Sequence, residues 1–115
     1  MKYITKIDSI IYDENLDILE LYTSNKTHHC IEVSNLFIIH CNDKNKVVGL
    51  ELLGISNIFH IDKILLTNLK SAKLVINAIP EEKKVFITAK IISLVENKQI
   101  STNLLVTPEA PLLCN

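Results

Sequence analysis

Residues 30–53 read CIEVSNLFIIHCNDKNKVVGLELL, and the punctuation of this stretch decides the fold. Cys30–Val33, Leu36–Cys41 and Val47–Leu53 are short runs dominated by Ile, Val, Leu and Phe, residues that pack well on a pleated surface. Between them stand two polar breaks, Ser34-Asn35 and the run Asn42-Asp43-Lys44-Asn45-Lys46. Strand, tight turn, strand, turn, strand is the pattern of consecutive hairpins. The last run is the most continuously apolar and reads as a buried strand.

Upstream, residues 2–12 alternate loosely and predict a first strand. Asp13-Glu14-Asn15 with Asp17 predicts a turn, Ile18–Tyr22 a second strand, and Thr23–Thr27 a polar loop. Downstream the period changes. Ile58, Ile61, Leu65 and Leu69 recur at helical spacing with Asp62 and Lys63 on the other side, which predicts one helix within 57–70, with Ser56 as its N-cap. Strands then resume at Ala72–Ile79, Lys84–Val95 and Gln99–Thr107, separated by turns at Pro80–Lys83 and Glu96–Lys98. Pro108 and Pro111 end regular structure ahead of an apolar Leu112-Leu113.

The predicted fold class is therefore α+β: a mostly antiparallel β-meander of about seven or eight strands with one helix. The 115 residues are too few for two independent cores, so 1–115 reads as one domain. Within it, 1–56 is the meander, 57–70 the helix, 72–107 a second strand group and 108–115 a tail.

Composition narrows the function classes. The apolar set is aliphatic, with 18 Ile and 16 Leu against three Phe, three Tyr and no Trp. The mean hydropathy of +0.25 leaves more apolar surface than a chain of this size readily hides, which predicts self-association or a partner. All 12 basic residues are Lys, balanced by 13 acids at a pI near 6.4. Lacking guanidinium forks, net positive charge and stacking aromatics, the chain is predicted to bind no nucleic acid. Cys30, Cys41 and Cys114 make an odd count with no disulfide framework, and Met1–Lys6 lacks the apolar run of a signal peptide. No apolar stretch approaches the roughly 20 residues a membrane span needs. The expected compartment is the cytoplasm, with no membrane contact.

One resemblance is carried by Tyr12-Asp13-Glu14-Asn15-Leu16-Asp17-Ile18-Leu19, then Glu32-Val33, Asp43 and Val47-Val48-Gly49-Leu50-Glu51-Leu52-Leu53, with Ser56 beyond. In that order these segments resemble a family of small prokaryotic domains of unknown function, with a Tyr-Asp-x-x-x-Asp-x-Leu opening and a Val-Val-Gly-x-Glu strand. The likeness covers about residues 10–58. Glu20 stands where the family carries an aromatic, and Asn45 where it carries a turn glycine; Asn also tolerates left-handed backbone. The resemblance implies a compact meander followed by a helix and no established activity. Some members are encoded beside small toxin-like proteins, which implies a partner-binding, antitoxin-like role.

Candidate chemistry is sparse. Asp13-x-Asn15-x-Asp17 imitates the start of a calcium loop, but Ile18 and Ser24 occupy the positions needing Gly and Glu. Turn capping explains both aspartates. Asp43 and Glu51 complete the family-matching acids. The metal-like set is His28-His29-Cys30 with His40-Cys41. If Ser34-Asn35 is a two-residue turn, His29 faces His40 and His28 faces Cys41, on opposite faces, so four ligands do not converge. His60 or Cys114 would have to complete a site, and no Cys-x-x-Cys spacing supports one. Gly49 and Gly54, the only glycines, cannot supply a phosphate loop, and Lys83 and Lys84 read as solvated turn residues. The expectation is a non-enzymatic protein–protein interaction module, homo-oligomeric or bound to a small protein, with no catalytic, cofactor or metal residues. The alternatives are a small metal- or ligand-binding protein and an enzyme of unrecognised type.

Overall fold

The computed structural model describes residues 1–82 and 84–107, leaving Lys83 and the 108–115 segment with Cys114 outside the described residues. Among the described residues nine strands form two antiparallel sheets. β1 (Lys2–Lys6), β7 (Leu69–Ile79), β8 (Lys84–Val95) and β9 (Lys98–Val106) make a four-stranded sheet in the order β1-β7-β8-β9. β2 (Ser9–Asp13), β3 (Ile18–Tyr22), β4 (His29–Val33), β5 (Phe37–Cys41) and β6 (Val47–Leu53) make a five-stranded sheet in the order β2-β3-β6-β5-β4. One hydrophobic cluster joins the inner faces, with Leu19, Leu21, Ile39, Leu50 and Leu52 from one sheet and Leu74, Ile76, Ile87, Ile91 and Leu104 from the other. That is the packing of a sandwich. Alternation positions the faces: in β8, Val85, Ile87, Ala89, Ile91 and Ser93 are buried while the residues between them are more exposed.

The antiparallel, mostly-β character follows the sequence, with differences of detail. The expected first strand is two strands, cut at a corner where the Ile7 amide donates to Ala72 O (3.2 Å) and the next amide, Asp8, donates to Tyr22 O (2.9 Å). Consecutive residues therefore serve different sheets, and the strand count among the described residues rises to nine. The sheet is also no simple meander, because β6 inserts between β3 and β5. Val47, Val48, Gly49 and Leu50 are all buried, and a strand apolar on both faces belongs at the centre of a sheet rather than at its edge.

The single helix over 57–70 is instead two short ones, α1 (Ile55–Ile58) and α2 (Lys63–Thr67). His60 at φ 52 separates them, a left-handed conformation that ends a helix. Gly54 at φ 66, not Ser56, is the N-cap of α1; Asp62 caps α2 by accepting from the Ile64 amide at 3.1 Å. α2 is pinned to β8, where the buried Ser93 hydroxyl donates to Leu65 O at 2.7 Å and the Leu94 amide to Asn68 O at 2.9 Å. Lys84 opens β8, as the predicted strand Lys84–Val95 has it, and so is not also a solvated turn residue. No helix among the described residues is long and apolar enough to cross a membrane.

Candidate functional site

The two hairpin turns explain the arrangement of the His and Cys residues. Glu96 (φ 51) and Asn97 (φ 64) form a two-residue turn, and pairing begins directly at Val95–Lys98. Ser34 (φ 54) and Asn35 (φ 58) make the same kind of turn, closed by the Leu36 amide donating to Val33 O at 3.0 Å. Here, however, the ladder begins at Val33–Phe37. Leu36 is left over because its carbonyl accepts from the Leu53 amide of β6 at 2.8 Å. The expected register is thereby corrected by one residue. His40 faces Cys30, not His29, and Cys41 faces His29, not His28. A one-residue slip changes which side chains share a face.

The outer face of the five-stranded sheet consequently carries two cross-strand rows. One runs Ser9, Tyr22, Gly49, His40, Cys30; the other Ile11, Glu20, Glu51, Ile38, Glu32. His40 is the hub. Its Nε2 lies 2.7 Å from Glu51 Oε2. A carboxylate only accepts, so Nε2 is the proton-bearing nitrogen that faces Glu51. Thr27 Oγ1 and Cys30 Sγ both lie 3.3 Å from Nδ1. The Tyr22 ring meets the imidazole edge-on at 5.2 Å, over Gly49, where a Cβ would lie 2.6 Å from Tyr22 Cδ1. The glycine gives the two rings their meeting place. Glu20 and Glu51 face each other directly, an unfavourable like-charge pair. The Tyr22 hydroxyl donates to Glu20 at 3.3 Å while His40 engages Glu51. Burial, followed by the charges of Glu51 and Glu20, raises the Tyr22 phenol pKa above its ordinary value. The imidazole thereby joins the Cys30 thiol and the Thr27 hydroxyl on one side to the Glu51 carboxylate on the other.

The remaining candidates are dispersed. Asp13 Oδ1 accepts from the Leu16 amide at 3.0 Å, as its turn predicts. Asp17 does more: at φ 55 it accepts from Tyr12 OH (2.6 Å), Ser56 Oγ (2.8 Å) and the Ser56 amide (3.1 Å), tying the first hairpin to α1. Asp43 is exposed in a turn organised by Asn42, whose Oδ1 accepts from the Lys44 and Lys46 amides. His60 is exposed beyond α1, and the Nδ1 atoms of His28 and His29 lie 3.3 Å apart. No group of three or more His, Cys, Asp or Glu among the described residues could hold a metal ion. Purified protein is expected to carry no stoichiometric zinc, with its melting temperature unchanged by a chelator. Elemental analysis finding about one zinc per chain, lost in His40→Ala, would contradict this.

The fold also segregates charge, which near-neutral composition does not reveal. Lys2, Lys6, Lys70, Lys73, Lys84, Lys90 and Lys98 all lie on strands of the four-stranded sheet, which carry no Asp or Glu. The strands of the other sheet carry Asp13, Glu20, Glu32 and Glu51, and no Lys. A near-neutral chain is thus folded into one basic and one acidic sheet. β9 closes the basic sheet as an edge strand. Neither a family model, nor a curated protein, nor a solved structure matches the chain.

Proposed function

We propose that the protein is a non-enzymatic interaction module of the cytoplasm that pairs with a second copy of itself along β9. The observation that carries this reading is the edge itself. β9 is nine residues long, bonded to β8 on one side and last in the sheet order. Sheet edges are ordinarily blunted by shortness, charge or proline. The other three edge strands, β1, β2 and β4, are five residues each and carry Lys2 and Lys6, Asp13, and Glu32. β9 has only Lys98 at its start and no proline, while Ile100 and Leu105 are 37% and 57% exposed beside the edge. Antiparallel pairing of β9 with its counterpart about a two-fold axis is self-complementary and continues the sheet to eight strands. The aliphatic excess and the partner-binding role implied by the resemblance over residues 10–58 point the same way. Cys30 as a free thiol suits a reducing compartment.

Sedimentation equilibrium at micromolar concentration is expected to give twice the 13.0 kDa monomer mass. The double variant Ile100→Lys, Leu105→Lys is expected to sediment as a folded monomer, because charge beside an edge opposes pairing. A wild-type mass at the monomer value, or a variant that still dimerises, would overturn the reading.

A further inference from the structure

Across β1, β7 and β8, Lys6 is paired with Lys73 and Lys73 with Lys90, and the row ends at Asn103 of β9. Like charges placed directly opposite are unfavourable, and here there are three in succession. Among the described residues none of the three makes an ion pair, and no strand of this sheet supplies an acid. On the acidic sheet, by contrast, the directly opposed Glu20 and Glu51 each have a hydrogen-bond partner.

The lysine row lies along an open cavity of about 540 Å³. Ser71, Ser101 and Asn103 line it with hydroxyl and amide donors, and Ile4 and Ile92 wall it with apolar surface. A concave basic surface with low-dielectric walls concentrates anions. Neighbouring strands lie about 4.8 Å apart, so the row spans about 10 Å. That length suits linked phosphoryl groups rather than one. Lysine, as a compact point charge with three donors, binds phosphate oxygens without needing a fork geometry.

We propose that this cavity is a binding site for a linear di- or triphosphate group, held by Lys6, Lys73 and Lys90 with Ser71, Ser101 and Asn103 as neutral donors. The site uses side chains on the outer face of the sheet, Ser101 and Asn103 of β9 among them, whereas self-association would use the β9 backbone edge, so neither requires the other. Triphosphate could reach it as the free inorganic ion or as part of a nucleotide.

Isothermal titration calorimetry with inorganic tripolyphosphate, a nucleoside triphosphate and inorganic orthophosphate tests the assignment. Tripolyphosphate is expected to bind at low salt at about one per chain, at least ~10-fold more tightly than orthophosphate, and to weaken as ionic strength rises. Lys73→Gln, at the centre of the row, is expected to lose about 10-fold or more in affinity, and Lys84→Gln, away from the cavity, to lose none. Removing one repelling charge is expected to leave the melting temperature of Lys73→Gln equal or higher, so lost binding in that variant is not lost folding. If the nucleoside triphosphate binds more tightly than tripolyphosphate, the source is a nucleotide; if equally, the site reads the phosphate chain alone. Absence of tripolyphosphate binding at low salt, equal affinity in Lys73→Gln and wild type, or orthophosphate binding as tightly, would each overturn the assignment. So would retention of single-stranded oligonucleotide unaffected by Lys73→Gln and uncompeted by tripolyphosphate.

Discussion

Gly49→Val is expected to destabilise the protein by roughly 2–4 kcal/mol, read as a fall of ~10 °C or more in melting temperature. Gly49 is buried at the middle of the outer row of the five-stranded sheet, directly opposite both Tyr22 and His40. The first atom of any side chain there would lie 2.6 Å from Tyr22 Cδ1, 3.1 Å from Cε1 and 3.2 Å from His40 Cβ. Neither ring has an easy retreat. The Tyr22 hydroxyl is held at Glu20, and the imidazole is held at Glu51 and at Thr27. Valine gains up to about 1 kcal/mol of strand propensity over glycine, which does not offset displacing two pinned rings in a packed sheet. Thermal unfolding that leaves the melting temperature unchanged would show that the glycine is not needed for the ring contact. Gly49→Ala is expected to show a smaller loss of the same sign.

Asp17→Ala is expected to cost about 2–3 kcal/mol. The substitution removes the acceptor for Tyr12 OH, Ser56 Oγ and the Ser56 amide, leaving three half-buried donors to find water. It also places Ala at φ 55, where a Cβ without a local hydrogen-bonding side chain is strained. Asp17→Asn keeps a carbonyl acceptor and tolerates the backbone, so its loss is expected to be smaller. Acid separates the two effects. Burial raises the Asp17 carboxyl pKa, but the hydrogen bonds from Tyr12 and then Ser56 outweigh it and hold it below its ordinary value. A carboxyl whose folded pKa is depressed contributes stability fully present above its unfolded pKa, near 4, and lost as pH falls through the lower folded value. The stability gap between wild type and Asp17→Asn is therefore expected to shrink below about pH 4. Equal pH profiles for the two proteins would contradict the account.

What the sequence disclosed follows from how local each signal is. Strands Val47–Leu53, Ile18–Tyr22 and Lys84–Val95 were legible because alternation and apolar continuity are written within a few residues. The Ser34-Asn35 turn was legible too, but not its register, because the residue that shifts it is held by Leu53, 17 positions away. The cut at Ile7-Asp8 was hidden for the same reason: adjacent amides answer to Ala72 and Tyr22. Asp17 reads as a turn residue from its neighbours alone, and its bonds to Ser56 appear only once the hairpin meets α1. The charge segregation was partly visible. Acids on strands stop at Glu51, and all strand lysines lie before Ser9 or after Thr67. What the sequence alone could not supply was that β1 leaves its neighbours in sequence to join β7. Without that pairing, Lys6 and Lys73 have no reason to meet.

The edge of β9 can be tested residue by residue by native-state amide hydrogen exchange as a function of protein concentration. An amide bonded into β8 is protected in the monomer, whereas one pointing away from β8 is protected only if another strand covers it. The account expects outward-pointing amides within Lys98–Val106 to gain protection as concentration rises through the micromolar range, while those of β7 and β8 stay constant. Outward amides of β9 that exchange at the same fast rate at every concentration, beside fully protected neighbours, would contradict it.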